Sequence, residues 1–235
     1  MDAFNSAIRL NNEGVALLVA GDDQAAAVAL SHALSFVKGL LSSLTQPCDL
    51  RGPLLAPESS DVNKLSSCSS AMEVCGNELR IHSMKPLPYL QDIDFFIHNH
   101  TMSISPDSPR TNEMLPIYSA CVILNLALAY HRRGKQAHII PCILKAEKMY
   151  ATIEKLLSGI NNNATAKILR IAATNNLSQI RYQRGEYERA RDDVELLAYL
   201  VRDVASVRAL LGDDELNGLL CNVFLFTPPD FAAAA

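Results

Sequence analysis

His98 and His100 stand two residues apart in the run Phe95 to Ser105, which is rich in aromatic and β-branched residues. In an extended backbone, side chains two apart leave the same face, so both imidazoles could converge on one ion. Cys68, Cys75 and His82 lie upstream and are the other donors within reach. A zinc site needs four ligands at reproducible spacing, and this set lacks a C-x-x-C or H-x3-H framework, so no metal and no cofactor is expected. Cys142 and His138 form a second chemically capable pair, a thiol and a base four apart on one expected helix face. Ile139 and Ile143 flank that cysteine, which favours a core thiol over a nucleophile. No catalytic residue is therefore expected. A third group is cationic: His131, Arg132, Arg133 and Lys135, then Arg181, Arg184, Arg189 and Arg191. Such groups can read an acidic motif or RNA phosphates. Glu186, Glu188, Asp192 and Asp193 are interleaved with them, so a solvated charged surface is the better reading.

The elements that position these residues follow from apolar periodicity. Ile117, Cys121, Leu124 and Leu128 recur at helical spacing, with Ala120, Ile123, Ala127 and Tyr130 alongside, so this stripe is wide enough for contact on two sides. Beyond Gly134, Ile139, Ile143, Ala146, Tyr150, Ile153 and Leu157 continue the period, which predicts an antiparallel hairpin turning at Arg132-Arg133-Gly134-Lys135. A first hairpin is expected within residues 1–41, turning at Gly21-Asp22, where glycine takes the left-handed conformation and aspartate caps the next helix. A third turns at Arg184-Gly185-Glu186, and a short closing helix follows Gly212-Asp213. Residues 116–226 thus hold two hairpins and a cap, and 227–235 a disordered tail, all in one structural domain. Between the first and second hairpins, 42–115 is rich in serine and proline, and helix cannot run through most of it. Residues 44–72 are expected to be disordered and dispensable, whereas Glu78 to Ser83 and Phe95 to Ser105 read as short strands.

Aligning the turns on Gly21, Gly134 and Gly185 exposes an internal repeat. Asn12, Asn125 and Asn176 each stand nine residues before the glycine, and the small residues Gly14, Ala127 and Ser178 seven before it. This resembles the tetratricopeptide repeat (TPR), best at Tyr187 to Ala190, although Gly134 and Gly185 are 51 residues apart where the family's period is about 34. The order of elements, with NLALAYH, NNLSQIRYQRG and NGLLCNV, is similar to a group of uncharacterised TPR-like proteins of unicellular algae over nearly the full chain, a likeness that implies no activity. The resemblance implies an all-α fold, hairpins stacked as a right-handed superhelix. It also implies peptide binding on a concave face lined by the first helix of each pair. The facing positions would be Ile8, Asn11, Asn12 and Val15, then Cys121, Leu124, Asn125 and Leu128, then Ala172, Asn175, Asn176 and Gln179. The basic residues of a carboxylate-gripping clamp are missing. An amide and aliphatic groove suits an extended backbone instead, because asparagine both donates and accepts. The favoured reading is that those asparagines hydrogen-bond between neighbouring helices or to the protein's own insert. The candidate groove residues are Asn11, Asn12, Val15, Leu124, Asn125, Leu128, Asn175, Asn176 and Gln179.

Chain-wide properties bound the function. A chain of 235 residues buries roughly 70 to 75% of its unfolded surface and needs no staples. Its 21 basic and 25 acidic residues give a formal charge of −4, which argues against nucleic acid or an anionic membrane as partner. Six cysteines without close pairs suit a reducing compartment. Neither a signal-peptide pattern nor a window of about 18 apolar residues is evident. The expectation is a cytoplasmic or nuclear scaffold or adaptor, not an enzyme, that binds a peptide or a helix of a protein partner in its concave groove. The alternative is a small hydrolase or other enzyme on a helical scaffold. Oligomeric state has no signature here. Two further expectations follow. Gly134 and Gly185 should have positive φ. The run Phe95 to Ser105 is too apolar for water and should dock on the helices, partly filling the groove against Asn11, Asn12, Asn125, Asn175 and Asn176.

Overall fold

The structure, a computed structural model, describes residues 3–45, 79–84, 96–109, 111–202, 208–209 and 211–226. It is mostly helical. Three consecutive helix pairs are α1 (Ala3–Ala20) with α2 (Asp23–Thr45), α3 (Leu115–Gln136) with α4 (Ile140–Leu157), and α5 (Ala164–Gln183) with α6 (Tyr187–Val201); α7 (Asp213–Phe226) closes the row. Each helix packs on the next in sequence, α2 against α3 and α4 against α5 included, and α7 rests on α6. The first helices of successive pairs also touch, α1 with α3 and α3 with α5, so together they form one face. A two-stranded antiparallel ribbon lies between the first two pairs in sequence, β1 (Leu79–Ser83) with β2 (His100–Ile104), in the register Leu79 to Ile104 and Ser83 to His100. β2 packs on α1 and α3.

Local chemistry explains most boundaries. Gly21 has φ 90°, and the Asp22 carboxylate accepts from the Ala25 N–H at 2.9 Å, so the first turn forms as glycine and cap demand. Asn163 caps α5 in the same way, accepting from the Ala166 N–H at 2.9 Å. Gly185 and Gly212 have φ 78° and 79° and end the segments before α6 and α7.

The central turn differs from expectation. Gly134 has no positive φ and lies inside α3; the chain reverses at 137–139, where the exposed His138 takes φ 52°. The helix continues because Gly134 serves packing: a Cβ there would run into the Ile143 side chain of α4. His138 thus sits in the turn before α4, and the buried Cys142 does not share a helix face with it.

Other boundaries also shift. α2 extends to Thr45, past the expected edge at residue 42 and through 44 and 45. The rest of 44–72, Cys68 included, lies outside the described residues, as do Cys75, Glu78, Phe95 and the tail 227–235. The segment Asp23–Ser42 has mean hydropathy 1.4, so by length and composition it could cross a membrane, contrary to the sequence estimate. Its alanines raise that average, yet Ala26, Leu30, Ala33 and Val37 belong to the main apolar core with Leu18, Leu124, Tyr150 and Leu169. A smaller core joins α5, α6 and α7 through Ile171, Leu197, Leu200, Leu216 and Leu219.

Candidate functional site

Residues 96–104 run along the face made by α1, α3, α5 and α7, and four asparagines hold their backbone. In an extended chain, successive peptide groups point to alternate edges. Thr101 and Ser103 lie opposite His82 and Arg80 of β1, and the Asn99 carbonyl accepts at 3.4 Å from the N–H of Met84, the residue after β1. Even-numbered residues face the helices. Asn12 donates to the Ile104 carbonyl at 2.8 Å and accepts from the Ile104 N–H at 2.9 Å. Asn125 does the same for Met102 at 2.7 and 2.9 Å. Asn176 does it for His98 at 3.0 and 2.9 Å. Asn222 completes the set on Phe96 at 2.6 and 2.8 Å.

A second rank of asparagines repeats with the first. Asn11 donates both to Asn12 and to the Met102 carbonyl, each at 3.2 Å, and accepts from Asn125 at 2.9 Å. Asn175 donates to Asn176 at 3.2 Å and to the Phe96 carbonyl at 3.1 Å, and accepts from Asn222 at 2.7 Å. In each doublet the second amide reads one residue and the first amide reads the residue two before it. By that rule position 124 would address residue 100, but Leu124 has no amide to give. The ladder therefore steps from Met102 to His98 and leaves His100 unread. Asn125 and Asn222 each donate through the amide nitrogen to two partners and accept one bond on the oxygen, which fixes the amide orientation.

Burial makes these bonds count. Asn11, Asn125, Asn175, Asn176 and Asn222 are fully buried, as are His98 and Thr101. Met102 and Ile104 enter the main core, and a Cβ at Gly218 would strike the Phe96 ring, so α7 needs a glycine where that ring seats. The Cys121 thiol donates to the Met102 carbonyl at 3.2 Å, and burial pushes its pKa up, so it is a packing thiol. Tyr150 accepts from Asn176 at 3.2 Å and meets His131 at 3.4 Å; burial raises its phenol pKa also. Of the residues expected to line the groove, Val15, Leu124 and Leu128 are buried apolar neighbours. Gln179 is buried too, but its amide has no hydrogen-bonding partner among the described residues.

Four of the cationic residues, Arg132, Arg181, Arg184 and Arg189, are paired with carboxylates. Arg132 is buried, donates to Asp23 at 3.0 Å, and reaches the Asn99 side chain at 3.3 Å, tying α2, α3 and the segment together. Burial raises the Asp23 pKa against the pull of Arg132. Arg181 grips Asp193 at 2.6 and 2.7 Å, Arg184 bonds Glu147 and pairs with Glu186 at 3.0 Å, and Arg189 donates to Glu186 at 2.6 Å. His82 bonds Ser103 at 2.7 Å, away from the His98 side chain.

Sequence reasoning missed Asn222 and Glu215. Asn222 lies on the closing helix and lacks the downstream turn glycine used to align the other three; its signal is a small residue, Gly218, four before it, as Cys121 and Ala172 stand before Asn125 and Asn176. Glu215 has no signal of its own. No family model, curated protein or solved structure matches this chain.

Proposed function

We propose that the chain is a TPR-like interaction module, a right-handed stack of helical hairpins that works as a scaffold or adaptor by holding an extended peptide along the asparagine face. The observation that supports this is the ladder itself: four amides each take the N–H and the carbonyl of one residue of an extended strand. Such contacts read backbone and tolerate many side chains. A helix has already spent those groups internally, so the ligand is a strand and not a helix. Residues 96–104 then act as the resident occupant, and a partner that offers aliphatic or aromatic residues at alternate positions would exchange for them. The tether holds the resident segment at an effective concentration on the order of millimolar. Each of Met102 and Ile104 adds roughly 1.5–3 kcal/mol by burial. A partner must therefore bring comparable apolar anchors.

Peptide-library display on the full-length chain tests this reading. Selected peptides should lose at least about tenfold in affinity for Asn12→Ala, whose asparagine is only half-buried, and should speed amide exchange in 98–104. Peptides that bind Asn12→Ala equally well, or that leave the exchange of the segment unchanged, would overturn it.

A further inference from the structure

His98, His100 and Glu215 bring one donor atom each to a common point, all within 4.8 Å of one another. Three structural causes produce this. The extended backbone sets both imidazoles on one face, their ring centroids 5.5 Å apart. Asn176 clamps His98 in register through its backbone, and the leucine at 124 leaves residue 100 without an asparagine on its peptide group. Finally, Glu215, Gly218 and Asn222 are spaced three and four apart, so one face of α7 presents all three to the segment. The His100 Nδ1 lies 3.1 Å from Glu215 Oε1, and the His98 Nδ1 abuts the same oxygen.

We propose that these three residues bind a divalent transition-metal ion of the zinc class, through His98 Nδ1, His100 Nδ1 and a Glu215 carboxylate oxygen. Two observations go beyond proximity. His98 is fully buried, its Nε2 has no hydrogen-bonding partner among the described residues, and its Nδ1 abuts the Glu215 carboxylate. A nitrogen lone pair and a carboxylate oxygen repel at such an approach, so a proton or a metal cation must lie between them, and a cation held there would also engage His100. The donor spacing fits for one pair and needs a small shift at the other. Bonds of about 2.0–2.1 Å in a tetrahedral site put donors about 3.3 Å apart, close to the His100–Glu215 separation, whereas His98 Nδ1 must draw back from the same oxygen to admit the ion.

Two imidazoles with one carboxylate suit zinc, cobalt or nickel, whereas calcium and magnesium call for oxygen-rich sets. Three protein donors leave a fourth position for water. The His100 side chain, 26% exposed, marks the side from which ion and water reach the site. The ion would clip the occupant segment to α7, adding to the amide pair of Asn222 a bond that chelators can remove. This site stands on its own geometry, whether or not the face accepts a foreign peptide.

The test uses the full-length chain, stripped with a chelator and titrated with Zn²⁺ and Co²⁺. One equivalent of Zn²⁺ should bind and raise the unfolding temperature, and Co²⁺ should give the visible band of a nitrogen- and oxygen-ligated four-coordinate ion without a thiolate charge-transfer band. His100→Ala and Glu215→Gln should each weaken binding about 100-fold or more while keeping the helical circular dichroism of the parent. The proposal is overturned if no ion binds at micromolar free Zn²⁺, if binding is unchanged in both folded variants, or if the cobalt spectrum reports sulfur ligands. Should one variant fail to fold, the other decides, and the spectrum of the parent chain decides without either.

Discussion

Asn125 and Met102 exchange a complete pair of hydrogen bonds across 23 positions of sequence, 2.7 Å from side-chain amide to carbonyl and 2.9 Å from backbone N–H to side-chain oxygen. The asparagine imitates the edge of a neighbouring strand. Along one edge a side-chain amide presents an N–H beside a carbonyl, so a helix side chain can complete a strand whose other edge is already paired with β1.

Asn125→Asp tests that relationship most narrowly. The carboxylate keeps the acceptor for the Met102 N–H and cannot donate to the Met102 carbonyl or to Asn11, and it places a charge in a fully buried site. We expect a loss of roughly 3 kcal/mol or more, read as a lowered urea midpoint with an unchanged slope. Asn125→Ala should cost about 2 kcal/mol. A loss below about 0.5 kcal/mol for both would mean that the segment is not held by this amide.

The central turn makes an opposed pair of predictions. His138 occupies a left-handed conformation that a side chain resists, so His138→Gly should stabilise the fold by roughly 0.5–1 kcal/mol. Gly134→Ala adds a good helix former to α3 but drives its methyl into Ile143, and we expect net destabilisation of about 1 kcal/mol or more. Thermal unfolding of both single variants reads the two signs directly.

His131 should make the protein acid-sensitive. Burial, with the Lys135 ammonium second, holds its imidazole down at about 3, while the unfolded chain titrates near the ordinary value of 6.5. Between those values the unfolded state carries the extra proton, so stability is full above about pH 6.5 and is lost as pH falls toward 3, by at most about 1.4 kcal/mol per unit. His131→Gln removes that titration. Between pH 7 and pH 5 the variant should lose up to about 2 kcal/mol less than the parent in urea unfolding. Equal losses would show that the imidazole is already charged in the fold.

Much of the architecture was legible because it is written in local chemistry. Apolar residues at helical spacing gave the hairpins, and Gly21-Asp22 and Gly185 marked turns that form as their conformational freedom allows. The apolar character of Phe95 to Ser105 required a surface, and the amides at Asn12, Asn125 and Asn176, in step with the turns, identified which one. What the sequence could not carry were relationships set by packing. Gly134 reads as a turn residue, yet the nearness of Ile143 makes it a packing residue and moves the reversal to His138. Arg132 reads as surface charge, yet it is buried against Asp23 and Asn99 because α2, α3 and the segment meet there. Asn222 and Glu215 stand on a helix more than a hundred residues from the strand they meet, and no local period links them to Phe96, His98 or His100. Side-chain type is a local property that composition and spacing reveal; which donors converge depends on the distances left when seven described helices close around one extended segment, and only the folded chain sets those.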